Sequence, residues 1–124
     1  MRLRQRFPGL VAALCSLAML TACATEIRDL NLRPDKHYQQ KLSIVGRILR
    51  VQSVGGDTLV EVADRKENRV LVRAGKPLDA GVGDWVEVTG VLVPEAMVGD
   101  TTLYDVLIAE DITPHRAPWI PDFM

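Results

Sequence analysis

The chain has 124 residues, with 15 lysines and arginines against 16 aspartates and glutamates and a net charge of −1. That slightly acidic balance argues against a nucleic-acid partner, which calls for a basic surface. Two cysteines exclude a disulfide-rich scaffold, and two histidines, His37 and His115, stand too far apart in sequence to suggest a shared zinc site.

The amino-terminal stretch reads as an export signal. Arg2, Arg4 and Arg6 form a basic n-region, and the stretch from Gly9 to Leu20 carries no charge. An apolar run of about 12 residues falls short of the roughly 20 that a membrane-spanning helix needs. The sequence continues Leu20-Thr21-Ala22-Cys23. This tetrapeptide resembles the lipobox of bacterial lipoproteins, in which a branched apolar residue and two small ones precede the cysteine that is acylated. The resemblance implies a signal peptide over 1–22, cleavage between Ala22 and Cys23, and attachment to the membrane through lipid on Cys23. Several acyl chains on one cysteine anchor stably, whereas one chain does so only marginally. Ala24 stands where an aspartate would imply retention at the inner membrane, so the resemblance points to the periplasmic face of the outer membrane.

Cys15 would leave with the signal and the sulfur of Cys23 would become a thioether, so no disulfide is expected. Loss of the three signal arginines leaves 12 of the 15 basic residues against all 16 acidic ones, a net charge of about −4. About 100 residues remain, enough for one small domain.

Residues 23–40 are expected to be a lipid-anchored linker, because they mix charge, Asn, Gln and one Pro with no sustained apolar period. Fully extended at roughly 3.3 Å per residue, such a linker would hold a domain about 50 Å from the bilayer. The alternative is that Leu30 and Leu32 pack as an edge extension of the domain.

From Lys41 onward the pattern is of short β-runs bounded by Gly, Asp or Pro. In the run from Lys41 to Gln52, Ile44, Gly46 and Ile48 share a face until the alternation slips and Val51 is expected to turn inward. Gly55-Gly56-Asp57 supplies the left-handed backbone of a tight hairpin leading into Thr58 to Ala63. Asn68 to Ala74 alternates Val70 and Val72 with Arg69, Leu71 and Arg73, so its outer face is not uniformly polar. Asp84 to Val93 carries an internal Gly90 and is expected to stop at Pro94, and Thr102 to Ile112 ends before Thr113-Pro114. Glycines inside the first and fourth runs mark bends. Five bent strands predict an all-β fold, a small five-stranded Greek-key barrel over 41–114.

These residues resemble the OB-fold. Ile44 to Ile48 correspond to its bent first strand, Gly83-Asp84-Trp85-Val86-Glu87-Val88-Thr89-Gly90 to the entry of its fourth, and Tyr104 to Pro114 to its fifth. The connection from Gly75 to Gly83 is too short for the helix that many OB-folds place there. A looser similarity is to Slp-type outer-membrane lipoproteins, carried by the lipobox, Asp57-Thr58-Leu59-Val60-Glu61 and a late tyrosine-bearing strand; that family transfers no enzymatic activity.

Chemistry-bearing motifs are few. Gly81-Val82-Gly83 lacks the third glycine of a dinucleotide loop and reads as a β-turn. Ser43 and Ser53 lie outside any G-x-S-x-G context, so no nucleophile, catalytic residue, metal or cofactor is expected. Asp105, Glu110 and Asp111 read as solvated strand-end charges, with Glu110 and Asp111 on opposite faces. Arg47, Arg50, Arg69 and Arg73, with Arg65 and Lys66, form a basic set that could meet an anionic or saccharide ligand, although interleaved Glu61, Asp64 and Glu67 would cancel much of its field. Strands one to three contain no aromatic residue on which a base could stack.

The tail over 115–124 is punctuated by Pro118 and Pro121. Its Trp119, Ile120 and Phe123 either close one end of the barrel or dock on a partner protein. The expected function is a non-catalytic binding module of the cell envelope that engages a protein, with a small anionic or saccharide ligand as the alternative.

Overall fold

Alternation of Val, Ile and Leu with polar residues gives each run an inner face, and five strands form in this computed structural model, which describes residues 24–117. They are β1 (Lys41–Val54), β2 (Asp57–Ala63), β3 (Arg69–Ala74), β4 (Trp85–Val98) and β5 (Thr101–Pro114). The sheet closes on itself in the order β1-β2-β3-β5-β4, antiparallel throughout except for the parallel β3–β5 pair. No helix occupies the stretch between β3 and β4. Inside lie Ile44, Ile48, Val60, Val62, Val72, Val86, Val88, Leu92 and Leu107, none more than 1% exposed. Burial of each such side chain stabilises the fold by about 1.5–3 kcal/mol.

Two glycines permit the close approaches the small ring requires. A β-carbon on Gly46 would stand 2.5 Å from Val62 Cγ1, and one on Gly90 would stand 2.1 Å from the Ile108 carbonyl oxygen. Gly90 borders a bulge in which Glu110 is the extra residue, since Thr89 pairs with Asp111 and Gly90 with Ala109. The bulge explains why Glu110 and Asp111 are both exposed rather than divided between faces.

In β1 the bulge falls at Leu49, between the Ile48–Val62 and Arg50–Glu61 pairs. It turns the following residues outward, so Val51, expected inside, is 39% exposed. Pro94 does not end β4. Pairing of β4 with β1 ends at Val91, and Pro94 lies between the Val93–Val106 and Glu95–Tyr104 pairs with β5 as its only partner strand. An edge position tolerates the missing N–H of proline.

The expectation of a linker over 23–40 is overturned for Ala24 to Gln40. Residues Ile27–Leu32 form a short helix, α1, followed by a 3-10 turn at Pro34–Lys36. Ile27 and Leu30 are 2% and 3% exposed and belong to the barrel core, while Leu32 is 65% exposed. The segment also covers two open edges. Ala24 bridges Ser43 on the stretch of β1 that precedes its pairing with β2, and the Thr25 amide donates to the Ser43 carbonyl at 2.7 Å. Tyr38 bridges Leu92, and the Gln39 amide donates to the Leu92 carbonyl at 3.0 Å. Two core residues three apart on a six-residue helix are too few for an apolar period, which is why the sequence looked like a tether.

Candidate functional site

Past Ile48, β1 runs alongside β2 alone, and past Val91, β4 runs alongside β5 alone. Each pair therefore continues as a hairpin arm. The first arm turns at Gly55 and Gly56, whose φ angles of 56° and 86° are those of a two-residue hairpin turn, and the second turns at Gly99 with φ 60°. The tips touch, since a β-carbon on Gly55 would stand 2.6 Å from the Gly99 α-carbon.

Between the arms lies a groove of about 370 Å³, within the range of small-ligand and side-chain pockets. Its apolar lining comes from Val54, Leu59, Leu71, Val98 and Leu103, with Arg50 and Glu61 as its charged members. The alternation of β2 and β3 explains the floor: Val60, Val70 and Val72 point into the barrel, which leaves Leu59 and Leu71 on the outer face. Arg73 ties the second arm down over β3, its guanidinium donating to the Met97 carbonyl at 3.4 Å.

The four arginines singled out from sequence do not converge on one ligand site. Arg69 bonds Glu61 at 2.9 Å, and Arg69 and Arg47 both approach Glu67, at 3.7 Å and 3.6 Å. Arg73 holds the arm, and Arg50 alone of the four lines the groove. The interleaved acids thus neutralise two of the four, although such exposed pairs contribute only about 0–1 kcal/mol each to stability. Asp64 serves the β2–β3 turn, its carboxylate accepting from the Lys66 amide at 2.8 Å and from the Asn68 amide and side chain at 2.9 Å.

The other candidates are local. His37 pairs with Asp29 at 2.8 Å, and Glu110 with Lys41 at 3.1 Å. The Tyr38 hydroxyl donates to Asp105, and this bond, more than desolvation and the negative charges of Asp105 and Asp35, raises the tyrosine above its ordinary pKa. The Gly81–Gly83 stretch is a turn closed by the Asp84 amide on the Gly81 carbonyl at 3.1 Å. Among the described residues no three His, Cys, Asp or Glu side chains are grouped to hold a metal ion, and no helix is long and apolar enough to cross a membrane. Ala22, Cys23, Trp119, Ile120 and Phe123 lie outside the described residues.

A second cavity, of about 700 Å³, opens at the barrel mouth between the β3–β4 connection and the end of β5. Leu78, Ala80, Trp85 and Ile112 line it, and the His115 amide donates to the Trp85 carbonyl at its rim.

No protein-family profile matches this chain, and no curated protein is similar to it in sequence. Solved structures are similar in shape. A protein described as an aspartyl-tRNA synthetase of Leishmania major matches with a TM-score of 0.56 at 15% identity, over 77% of this chain and 22% of that one. The asparaginyl-tRNA synthetase of Pyrococcus horikoshii, complexed with asparaginyl-adenylate, matches with a TM-score of 0.52 at 14% identity, over 67% and 20%. The OBody AM3L09, bound to hen egg-white lysozyme, matches with a TM-score of 0.51 at 18% identity, over 64% and 84%.

The barrel is an OB-fold. This chain spans about a fifth of the length of either synthetase, and identities this low carry the fold alone.

The groove itself was only partly legible in the sequence. Leu71 between two arginines hinted at an apolar outer face, but Val98 and Leu103 join it only because the second arm curls over β3, which strand alternation does not encode.

Proposed function

We propose that the chain is an envelope lipoprotein, acylated on Cys23 and held at the periplasmic face of the outer membrane, whose barrel binds a segment of a partner protein without catalysing a reaction. The observation that carries the binding role is the apolar floor of Leu59 and Leu71, walled by Leu103 of the second arm, in the groove between two arms that meet at Gly55 and Gly99. Such a floor suits an inserted apolar side chain, with Arg50 and Glu61 available to a partner's polar groups. The OBody, similar in fold, is bound to a protein. Non-catalytic action fits a sequence with no nucleophile in a recognisable motif. The lipobox supports the compartment.

Arg50 favours a second reading, in which the groove takes a small anionic or saccharide ligand. Nucleic acid is the less favoured partner, because β1 to β3 carry no aromatic side chain for stacking.

A photo-crosslinking residue placed at Leu71 or Leu103 in the full chain, expressed in a Gram-negative envelope, tests both readings, with Val82 on the β3–β4 connection as the reference. A protein adduct of defined mass at 71 and 103 and none at 82 is expected, and Leu71→Glu should abolish the adduct at 103. Adducts of equal yield at all three positions, or none at the groove, would overturn the protein-binding reading. The same cells, fractionated with and without Cys23→Ala, test the anchor: the native chain is expected in the outer membrane with an acylated amino terminus, and the variant outside it.

A further inference from the structure

A tether of 18 residues would let the barrel tumble freely above a membrane, but the fold begins at once. Ala24 is already paired with Ser43, the Thr25 amide is bonded at 2.7 Å, and Ile27 is in the core. Cys23 is one peptide unit from Ala24, and consecutive α-carbons are about 3.8 Å apart. Lipid on Cys23 would therefore start against the barrel wall.

The surface around that entry point suits a phospholipid headgroup layer. A recess of about 340 Å³ beside Ala24 and Thr25 is lined by Arg28 of α1 and by Arg65 and Lys66 of the β2–β3 turn, with Glu26 and Asp64 as its acids. The Asp64 carboxylate is turned into its own loop, where Lys66, Asn68 and the Asn68 side chain donate to it. Leu32 lies one helical turn from Arg28 on the same face of α1 and is 65% exposed. A basic residue followed by an exposed leucine on one helix face is suited to an anionic interface. The arm tips lie at the opposite limit of the barrel, since Ser43 and Val54 are separated by about 36 Å of strand at 3.3 Å per residue.

We propose that the barrel rests directly on the bilayer in one orientation, with the β2–β3 turn and the exposed face of α1 against phospholipid headgroups and the groove between the arms turned outward to its partner. This inference rests on acylation of Cys23. It makes the lipid a positioning device for the groove.

The test uses the full acylated chain reconstituted into vesicles of phosphatidylethanolamine and phosphatidylglycerol that carry a headgroup quencher. A fluorophore is attached through Lys66→Cys in one preparation and Asp100→Cys in another, the native Cys23 being blocked by its lipid. Quenching severalfold stronger at 66 than at 100 is expected, and a Gly-Ser insert of about ten residues between Cys23 and Ala24, long enough to act as a flexible coil, should abolish the difference. In the uninterrupted chain, Arg28→Glu with Leu32→Ser should narrow it while the protein still floats with the vesicles. Equal quenching at the two sites in vesicle-bound protein would overturn the orientation alone. A chain that never floats would overturn the lipid anchor, and the orientation with it.

Discussion

Gly55 and Gly99 meet at the tips of the two arms: a β-carbon built on Gly55 would stand 2.6 Å from the Gly99 α-carbon. Neighbouring Gly56 has nothing within 4 Å of the same position, although its φ of 86° is also left-handed. The pair separates backbone strain from tip contact. Gly56→Ala is expected to lose about 1–2 kcal/mol, the cost of a left-handed conformation for a residue with a β-carbon. Gly55→Ala carries that cost and also forces the arms apart, so it should be less stable than Gly56→Ala in urea and should weaken groove crosslinking at Leu103. Equal stability and equal crosslinking in the two variants would remove the tip contact from the account.

Ile27 and Leu30 decide whether the segment before β1 is domain or tether. A residue in a solvated linker changes stability by no more than about 0.5 kcal/mol when truncated. Buried as they are, at 2% and 3% exposure, Ile27→Ala and Leu30→Ala should each cost about 2–5 kcal/mol. Urea unfolding of the two variants measures it. Leu32→Ala, at 65% exposure, is the internal reference and should be near neutral.

These residues also mark where the sequence was informative. Strand alternation located the five runs and put Val70 and Val72 on an inner face, because a period of two is a property of the chain itself. Gly55-Gly56 announced its turn for the same reason. Alternation does not place Val51, because the bulge at Leu49 depends on how β1 must bend between β4 and β2, and Pro94 does not end its strand, because its tolerance depends on β4 having lost β1 as a neighbour. Ile27 and Leu30 were hidden because their burial is long-range, fixed by Ser43 on one side and Leu92 on the other. The groove combines both kinds of information: Leu71 was legible in β3, whereas Val98 and Leu103 arrive by the curl of the second arm.

Gly90 has the tightest surroundings of any glycine in the described chain, a β-carbon there lying 2.1 Å from the Ile108 carbonyl oxygen and 3.0 Å from the Ala109 α-carbon. Both neighbours are backbone, so relief requires moving β5 away from β4 at the bulge. Gly90→Ala is expected to cost at least about 3 kcal/mol, at or above the usual range for overpacking. Gly46→Ala should cost less, because its nearest neighbour, at 2.5 Å, is the Val62 side chain, although the Ala63 carbonyl oxygen follows at 2.8 Å. Thermal melts of the two variants check the order, and a reversed order would mean that β5 yields more readily than the Val62 side chain.

Tyr38 and Asp105 join the segment before β1 to β5, at a point where Asp105 adopts a left-handed φ of 55°. The donated bond favours the protonated phenol and, with the neighbouring negative charges, raises its pKa in the folded state above the ordinary value of about 10. The sign follows from proton binding. Below about pH 10 both folded and unfolded chains keep the proton and the contribution is whole; above it the folded chain holds more protons than the unfolded one, so stability falls as pH rises through the folded value. The wild-type urea midpoint should therefore drop more steeply as pH rises above about 10 than that of Tyr38→Phe, which has no proton to lose and no bond to break. Subtracting the two profiles removes every contribution common to both. Parallel profiles would show that the Tyr38–Asp105 bond contributes nothing to holding the amino-terminal segment on the barrel.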